Sequence, residues 1–199
     1  TAPWISPQNP YDLAQLDVMD AKLEPGAKLG NGKTALLGTD DQGRDMLSGI
    51  FYGLRISLFV GVAATVLALL IGATAGMIAA WLGGRVDNLL MRFTDLILTL
   101  PGFAVLLTAS VYFGAGDPFK TGLILAFLLW TAVARIVRGL FLSLREKEFV
   151  EAAKASGAGN SRIILRHILP NCVGPIVVFM TLIVAVAILL EAALSFLGF

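Results

Sequence analysis

Few residues of this 199-residue chain have the types and spacing that chemistry needs. The one cysteine, Cys172, has no second thiol to pair with and no ligand-spaced neighbours. The one histidine, His167, stands beside Arg166, where helix-end packing is the ordinary role. No paired carboxylates, His/Cys cluster or nucleophile–base constellation recurs along the chain, so neither a catalytic residue nor a metal site is expected. The strongest hint of phosphate chemistry is Gly30-Asn31-Gly32-Lys33-Thr34, which ends like a nucleotide-binding loop. The full pattern needs a glycine five positions before Gly32, where Ala27 stands, with Gly26 one residue off. Nor does a buried strand precede it or a clear helix follow, and that context is what aims backbone N–H groups at phosphate. The segment reads as an extramembrane loop, and no cofactor, ATP included, is expected on this chain.

A second kind of chemistry is mechanical. In Glu148–Pro175 the apolar or small positions Phe149, Ala152, Ala153 and Ser156 recur at helical spacing, with Lys147, Glu148, Glu151 and Lys154 opposite. Gly157 is expected to close this helix, because glycine adopts the left-handed conformation of a helix C-terminus. Asn160 or Ser161 can cap a second short helix, Arg162 to Leu169, bounded by Pro170. A helix with small side chains on its exposed face lets another protein's backbone approach closely, so the passage reads as a docking surface.

The elements that must hold this passage are membrane spans. The chain is 57% hydrophobic and 15% charged, with mean hydropathy +0.81, too apolar for an ordinary soluble domain. A net charge of +1 leaves no basic excess for a nucleic-acid partner. Residues 1–46 are polar and turn-rich, and are expected to be an extracytoplasmic segment ahead of a transmembrane domain at 47–199. Four spans follow, at 56–82, 89–113, 121–137 and 172–197, each near the ~20 residues that cross a bilayer. Within the first, Gly72 and Gly76 form a G-x-x-x-G that suits bundle packing. Short turns are expected at 83–88 and 114–120. The starting Thr1 and the apolar end suggest further spans flanking the sequence on both sides. Four positions merit structural or gating attention. Arg92 and Asp95, three apart, can pair; a lone charge in the bilayer costs about 2.5–3.5 kcal/mol. Pro101 is expected to kink the second span. Glu191 is the only charge of the last span, expected at its outer interface.

Charge sets the orientation. The passage 138–171 holds Arg138, Arg145, Lys147, Lys154, Arg162 and Arg166 against Glu146, Glu148 and Glu151, and the turn at 83–88 holds Arg85. Basic residues favour the cytoplasmic side, so these two segments are inside while 1–46 and 114–120 are outside. The docking passage therefore faces the cytoplasm.

Glu151-Ala152-Ala153, Gly157 after three more residues, and Leu169-Pro170 resemble the EAA loop of bacterial ATP-binding-cassette importer permeases. That family's pattern has an aliphatic residue two before Leu-Pro. His167 stands there, and Arg166-His167-Ile168-Leu169-Pro170-Asn171 looks like the dipeptide/oligopeptide/nickel branch, as do Leu37–Asp45 with Tyr52–Leu58, and Glu191–Phe199. The resemblance is to the C-type of that branch's two permeases. It implies an all-α, polytopic membrane helical bundle, the transmembrane domain of a type I importer, in a bacterial inner membrane. It further implies a second homologous permease, two ATPase subunits carrying ATP and Mg, and an extracytoplasmic substrate-binding protein. Surrounding lipid completes the assembly. Glu151, Ala152, Ala153, Gly157, Leu169 and Pro170 would carry the ATPase coupling, and the chain itself would not be an enzyme. The implied cargo is di- or oligopeptide, with nickel or another small solute as the alternative. An ion-coupled secondary transporter fits less well, because such proteins place ionisable groups in mid-membrane.

Overall fold

The computed structural model describes residues 6–12, 16–114 and 116–198. Residues 1–5, 13–15, 115 and 199 lie outside them, including parts of the expected 1–46 segment and of the loop 114–120. Two compact units divide at Phe59/Val60.

The first unit is built by short polar side chains bonding to nearby backbone. Asp17 caps a 3₁₀ turn, Val18–Asp20, accepting from Met19 N–H at 2.9 Å. Strands β1 (Ala27–Lys28) and β2 (Thr34–Ala35) pair antiparallel as a small hairpin. Gly30-Asn31-Gly32-Lys33 is the hairpin tip, and Thr34 opens a strand rather than a helix. The Gly30 N–H donates to both carboxylate oxygens of Asp20, at 2.8 and 3.0 Å, so it points inward at a side chain. Asp45 is wholly buried and takes the Ser48 N–H at 2.8 Å, an N-cap bond that starts the first long helix.

That helix, α1, is Met46–Leu82, ten residues longer at its start than the span 56–82. Next come α2 (Gly84–Thr99), α3 (Gly102–Phe113), α4 (Pro118–Arg145), α5 (Glu148–Ala155) and α6 (Asn160–Phe196). The chain is thus all-α and polytopic, as its composition and period required. Helices α1, α4 and α6 are long and apolar enough to cross a membrane.

Several boundaries differ from expectation, each for a local reason. The turn expected at 83–88 shrinks to Gly83 and Gly84, whose φ of 62° and 53° reverse the chain without further residues. Helix α4 begins at Pro118 rather than 121, because Asp117 accepts the Phe119 N–H at 2.9 Å and proline suits a first helical turn. It also runs on to Arg145, eight residues past the expected end. Pro101 breaks the second span outright: Leu100 before it is extended (φ −72°, ψ 138°), and α2 and α3 meet at 80°.

The bent pair could be one broken span or a re-entrant loop that returns to its own side. Its contacts with α4 decide. Asp87 bonds Arg138, Asp95 bonds Arg135, and Phe93 stacks near Trp130 with ring centroids 6.1 Å apart. Further on, α3 shares a cavity with Leu123, Ile124 and Phe127, and the Phe113 carbonyl accepts from Lys120 Nζ at 2.8 Å. The pair thus runs antiparallel along α4 from Arg138 to Lys120, about 27 Å at 1.5 Å per residue. That matches a hydrocarbon core of about 30 Å, so α2–α3 is one broken span.

Glycines set the packing of α1. A Cβ on Gly72 would lie 2.5 Å from the Trp130 carbonyl oxygen and 2.6 Å from Val133 Cβ. One on Gly76 would lie 2.5 Å from the Ala134 carbonyl oxygen. The G-x-x-x-G therefore seats the α4 backbone within this chain. Gly61, about three turns earlier on nearly the same face, meets Ile188 of α6 instead, whose Cγ1 would lie 2.7 Å from an added Cβ.

Candidate functional site

The polar passage between α4 and α6 folds as a short helix held at both ends and pinned from beneath. Helix α5 starts after Lys147, with Glu148 and Glu151 in its first turn, where carboxylates favour the positive end of the helix dipole. It closes with a Schellman motif: the Gly157 N–H bonds the Lys154 carbonyl at 2.9 Å, and the Ala158 N–H bonds the Ala153 carbonyl at 3.0 Å. Gly157 takes φ 77°, the left-handed conformation the closure demands.

The inward residue of α5 is Val150, 0% exposed, in a core with Phe141, Ile163, Ile168 and Cys172. Ala153 lies half-buried against the same core, while Phe149, Glu151, Ala152 and Ser156 are exposed. The two alanines of the triplet therefore differ: Ala152 presents outward and Ala153 packs underneath. Val150 escaped the sequence reading because the stripe sought there was the small-residue one. A single apolar β-branched residue one turn before Ala153 was the available signal.

Past Gly157 the structure departs further from expectation. Gly159, not Asn160 or Ser161, is the residue that precedes the helix, without a side-chain cap. Pro170 does not bound a separate helix. It has no N–H and its ring crowds the carbonyl four residues back, which normally ends a helix. Here Ile163–Ile168 widens to a π turn, in which the Leu169 N–H bonds the Ile164 carbonyl five residues back. The Asn171 side-chain amide takes the His167 carbonyl at 2.6 Å. With the backbone widened at that turn, the chain passes Leu169-Pro170 and continues as one helix to Phe196, with Pro175 inside it. A π turn in such a place often marks a functional site.

Arg145, the last residue of α4, joins this unit to α1. Its Nη1 donates to the Ala80 carbonyl at 3.0 Å and the Trp81 carbonyl at 3.4 Å, serving carbonyls that the end of α1 leaves unpaired. Its guanidinium also lies over the Trp81 ring, 5.7 Å from the centroid. The base of α1, the end of α4, α5 and the π turn thus form one packed and hydrogen-bonded body.

The charged residues singled out along the second span are placed differently. Arg92 and Asp95 do not pair with each other; Asp95 is bound to Arg135 instead. The reason is that α4 already packs beside α2 and brings a guanidinium across the gap. A second bridge, Asp87 to Arg138, is bidentate at 2.5 Å for both bonds and more buried, with side chains 16% and 31% exposed. Asp87 was read as part of a turn, and only the register of α4 reveals its partner. Glu191 is half-buried near the end of α6, remote in sequence from all of these.

Comparison with known proteins agrees with this architecture. The family described as "Binding-protein-dependent transport system inner membrane component" matches residues 72–199. The oligopeptide transport system permease protein OppC of Bacillus subtilis is 40% identical over 188 residues, 94% of this chain and 59% of that protein. The dipeptide transport system permease protein DppC of the same organism is 39% identical, covering 96% of this chain and 57% of that one. A putative peptide transport system permease protein of Brucella suis is 40% identical, covering 99% and 63%. The chain therefore spans between 57% and 63% of the length of these relatives. The matched stretch runs from the glycine seat on α1 through α5 to the end of the chain, and the chain belongs to the family of binding-protein-dependent transport system inner membrane components.

Proposed function

We propose that this chain is a membrane-spanning permease subunit of an ATP-driven importer of di- or oligopeptides, with α5 as the element that docks a separate ATPase. The observation that carries this reading is the two-sided construction of α5. Outward it offers Phe149, Ala152 and Ser156 with the Glu151 carboxylate, a surface that a partner backbone can approach closely. Inward it is pinned by Val150 and closed by Gly157, so a push on it moves packed helices rather than a loop. The names of the relatives support peptides as cargo over nickel.

In this reading a second permease completes the pathway, two ATPase subunits bind ATP and Mg beneath, and an extracytoplasmic binding protein delivers the solute. Closure of the ATPase pair displaces α5. Through Val150, Arg145 and the π turn the displacement reaches α1, α4 and α6 as a rigid-body motion that rocks the spans between inward and outward access. Leu169 and Pro170, at the top of the π turn, are where this motion enters α6.

The test is reconstitution of the full protein with and without its ATPases. Uptake that requires ATP supports the importer; uptake driven by an ion gradient alone would defeat it. Glu151→Arg and Gly157→Val should leave membrane insertion intact and reduce both ATPase binding and transport. Normal assembly and transport in both variants would remove α5 from the coupling role.

A further inference from the structure

An apolar groove of about 320 Å³ lies between the end of α1 and the π turn of α6. Met77, Ile78, Trp81 and Leu82 form one wall, and Ile164 and Leu165 form the other. Thr74, at the deep end, spends its hydroxyl on the Leu70 and Ile71 carbonyls, at 2.8 Å each. The Arg145 guanidinium over the Trp81 ring holds that ring in place as part of the wall. Ile78, Leu82 and Leu165 are exposed.

Helix α4 sets the depth of this groove. A Cβ on Gly76 would lie 3.0 Å from the Arg138 backbone nitrogen, so Gly76 is level with Arg138, where the membrane-crossing stretch of α4 ends. The Trp81 carbonyl instead meets Arg145, seven residues and about 10 Å further along α4. Thr74 therefore lies inside the hydrocarbon edge, while Met77 to Leu82 run out through the headgroup layer, which is about 5–7 Å thick on each side. Tryptophan at that level is an interfacial anchor. An exposed apolar groove at headgroup depth calls for an occupant that is apolar at the deep end and polar at the mouth.

The mouth is basic. Arg162 and Arg166, four residues apart, flank Leu165 on the π-turn wall. Arg85 stands three residues past Leu82, which keeps its Cα within about 11 Å of the other wall. All three are exposed, and none makes an ion pair among the described residues. Asp87, the acid nearest Arg85 in sequence, is bonded to Arg138, and no acid occurs between Glu151 and Glu191. We propose that the groove is a binding site for an anionic phospholipid, with an acyl chain between α1 and the π turn and the phosphate on Arg162 and Arg166. Guanidinium forks match phosphate bidentately, and basic pockets between helices at the membrane edge hold anionic headgroups. A zwitterionic phospholipid offers the same phosphate but brings a cation to a mouth that already carries three guanidiniums. The bound chain closes the seam between α1 and α6 beside α5, whatever solute the complex carries.

The experiment uses the full-length protein in its complex, in proteoliposomes of equal parts phosphatidylglycerol and phosphatidylcholine. The photoreactive residue benzoylphenylalanine replaces Leu165 in one preparation and Leu82 in a second. In a third it replaces Leu189, exposed further along α6, as a reference for bulk lipid. Adducts are identified by mass spectrometry. The site predicts that positions 165 and 82 label phosphatidylglycerol about tenfold over phosphatidylcholine, while position 189 labels the two about equally. This preference is read with every arginine in place, so it does not depend on how an arginine variant folds. Arg162→Gln with Arg166→Gln should then bring the ratio at 165 close to one with lipid adducts still present, and Lys28→Gln on the hairpin should leave it tenfold. Equal labelling of the two lipids at 165 and 82, or the same preference at 189, would mean bulk lipid and overturn the site. Adducts to a partner subunit in place of lipid would mean that protein covers the groove, and would overturn it as well. A tenfold ratio that survives loss of both arginines would overturn their assignment to the phosphate.

Discussion

Helix α4 is held on one side by α1 and on another by α2, and the two contacts rest on opposite physics. Against α1 the contact is backbone on backbone, through Gly72 and Gly76, with no room for a methyl group. Against α2 it is long side chain to long side chain, Asp87 with Arg138 and Asp95 with Arg135. A close-packed glycine seat has one register and no slack. An ion pair between flexible side chains can follow a shift of its helices by changing rotamers. The comparison predicts that α1 and α4 move as one piece, while the tether between α2 and α4 can adjust.

The sharpest way to break this comparison is to place a side chain in the glycine seat. Gly72→Val or Gly76→Val should abolish a monodisperse complex in size-exclusion chromatography, because overpacking against backbone costs about 1–3 kcal/mol or more and here has nowhere to relax. A well-assembled variant would mean that α1 and α4 are not locked. Next in size is Val150→Ala, which removes a fully buried group for about 1–3 kcal/mol. Assembly should survive, while ATP hydrolysis continues without matching uptake. Coupled transport at the unaltered rate would show that α5 does not act through its inward face. Arg138→Gln is expected to be milder, about 1–3 kcal/mol in thermal stability, between the values of exposed and fully buried bridges. An effect as large as that of Gly72→Val would erase the contrast between the two contacts. Smallest is Asp41→Asn, which breaks the solvent-exposed pair with Lys22 and should leave stability and uptake unchanged.

The contrast was only half visible in the residues. Gly72 and Gly76 announced a close approach by spacing alone, although their partner helix did not. Gly157 announced its turn, because a left-handed closure has few other candidates. The ion pairs stayed hidden: Arg92 and Asp95 satisfy helical spacing, and nothing local says that Arg135 competes for the carboxylate. Pro170 misled for a related reason. A proline reads as a helix end, and the π turn that absorbs it depends on the packing of Ile163 and Ile168 beneath α5. The polar face of α2 was legible in principle, since Arg85, Asn88, Arg92, Asp95 and Thr99 repeat every three or four residues.

The central claim is that α5, α4 and the base of α1 are one body. Spin labels at Lys154 on α5 and Leu82 at the end of α1, both exposed, would report on it by electron–electron distance measurement in the full complex. A second pair, Lys154 with Asn88 on α2, supplies the contrast. The account predicts one unchanged distance distribution for 154–82 between nucleotide-free and ATP-trapped states, and a shifted one for 154–88. A shift in the 154–82 distance would contradict it.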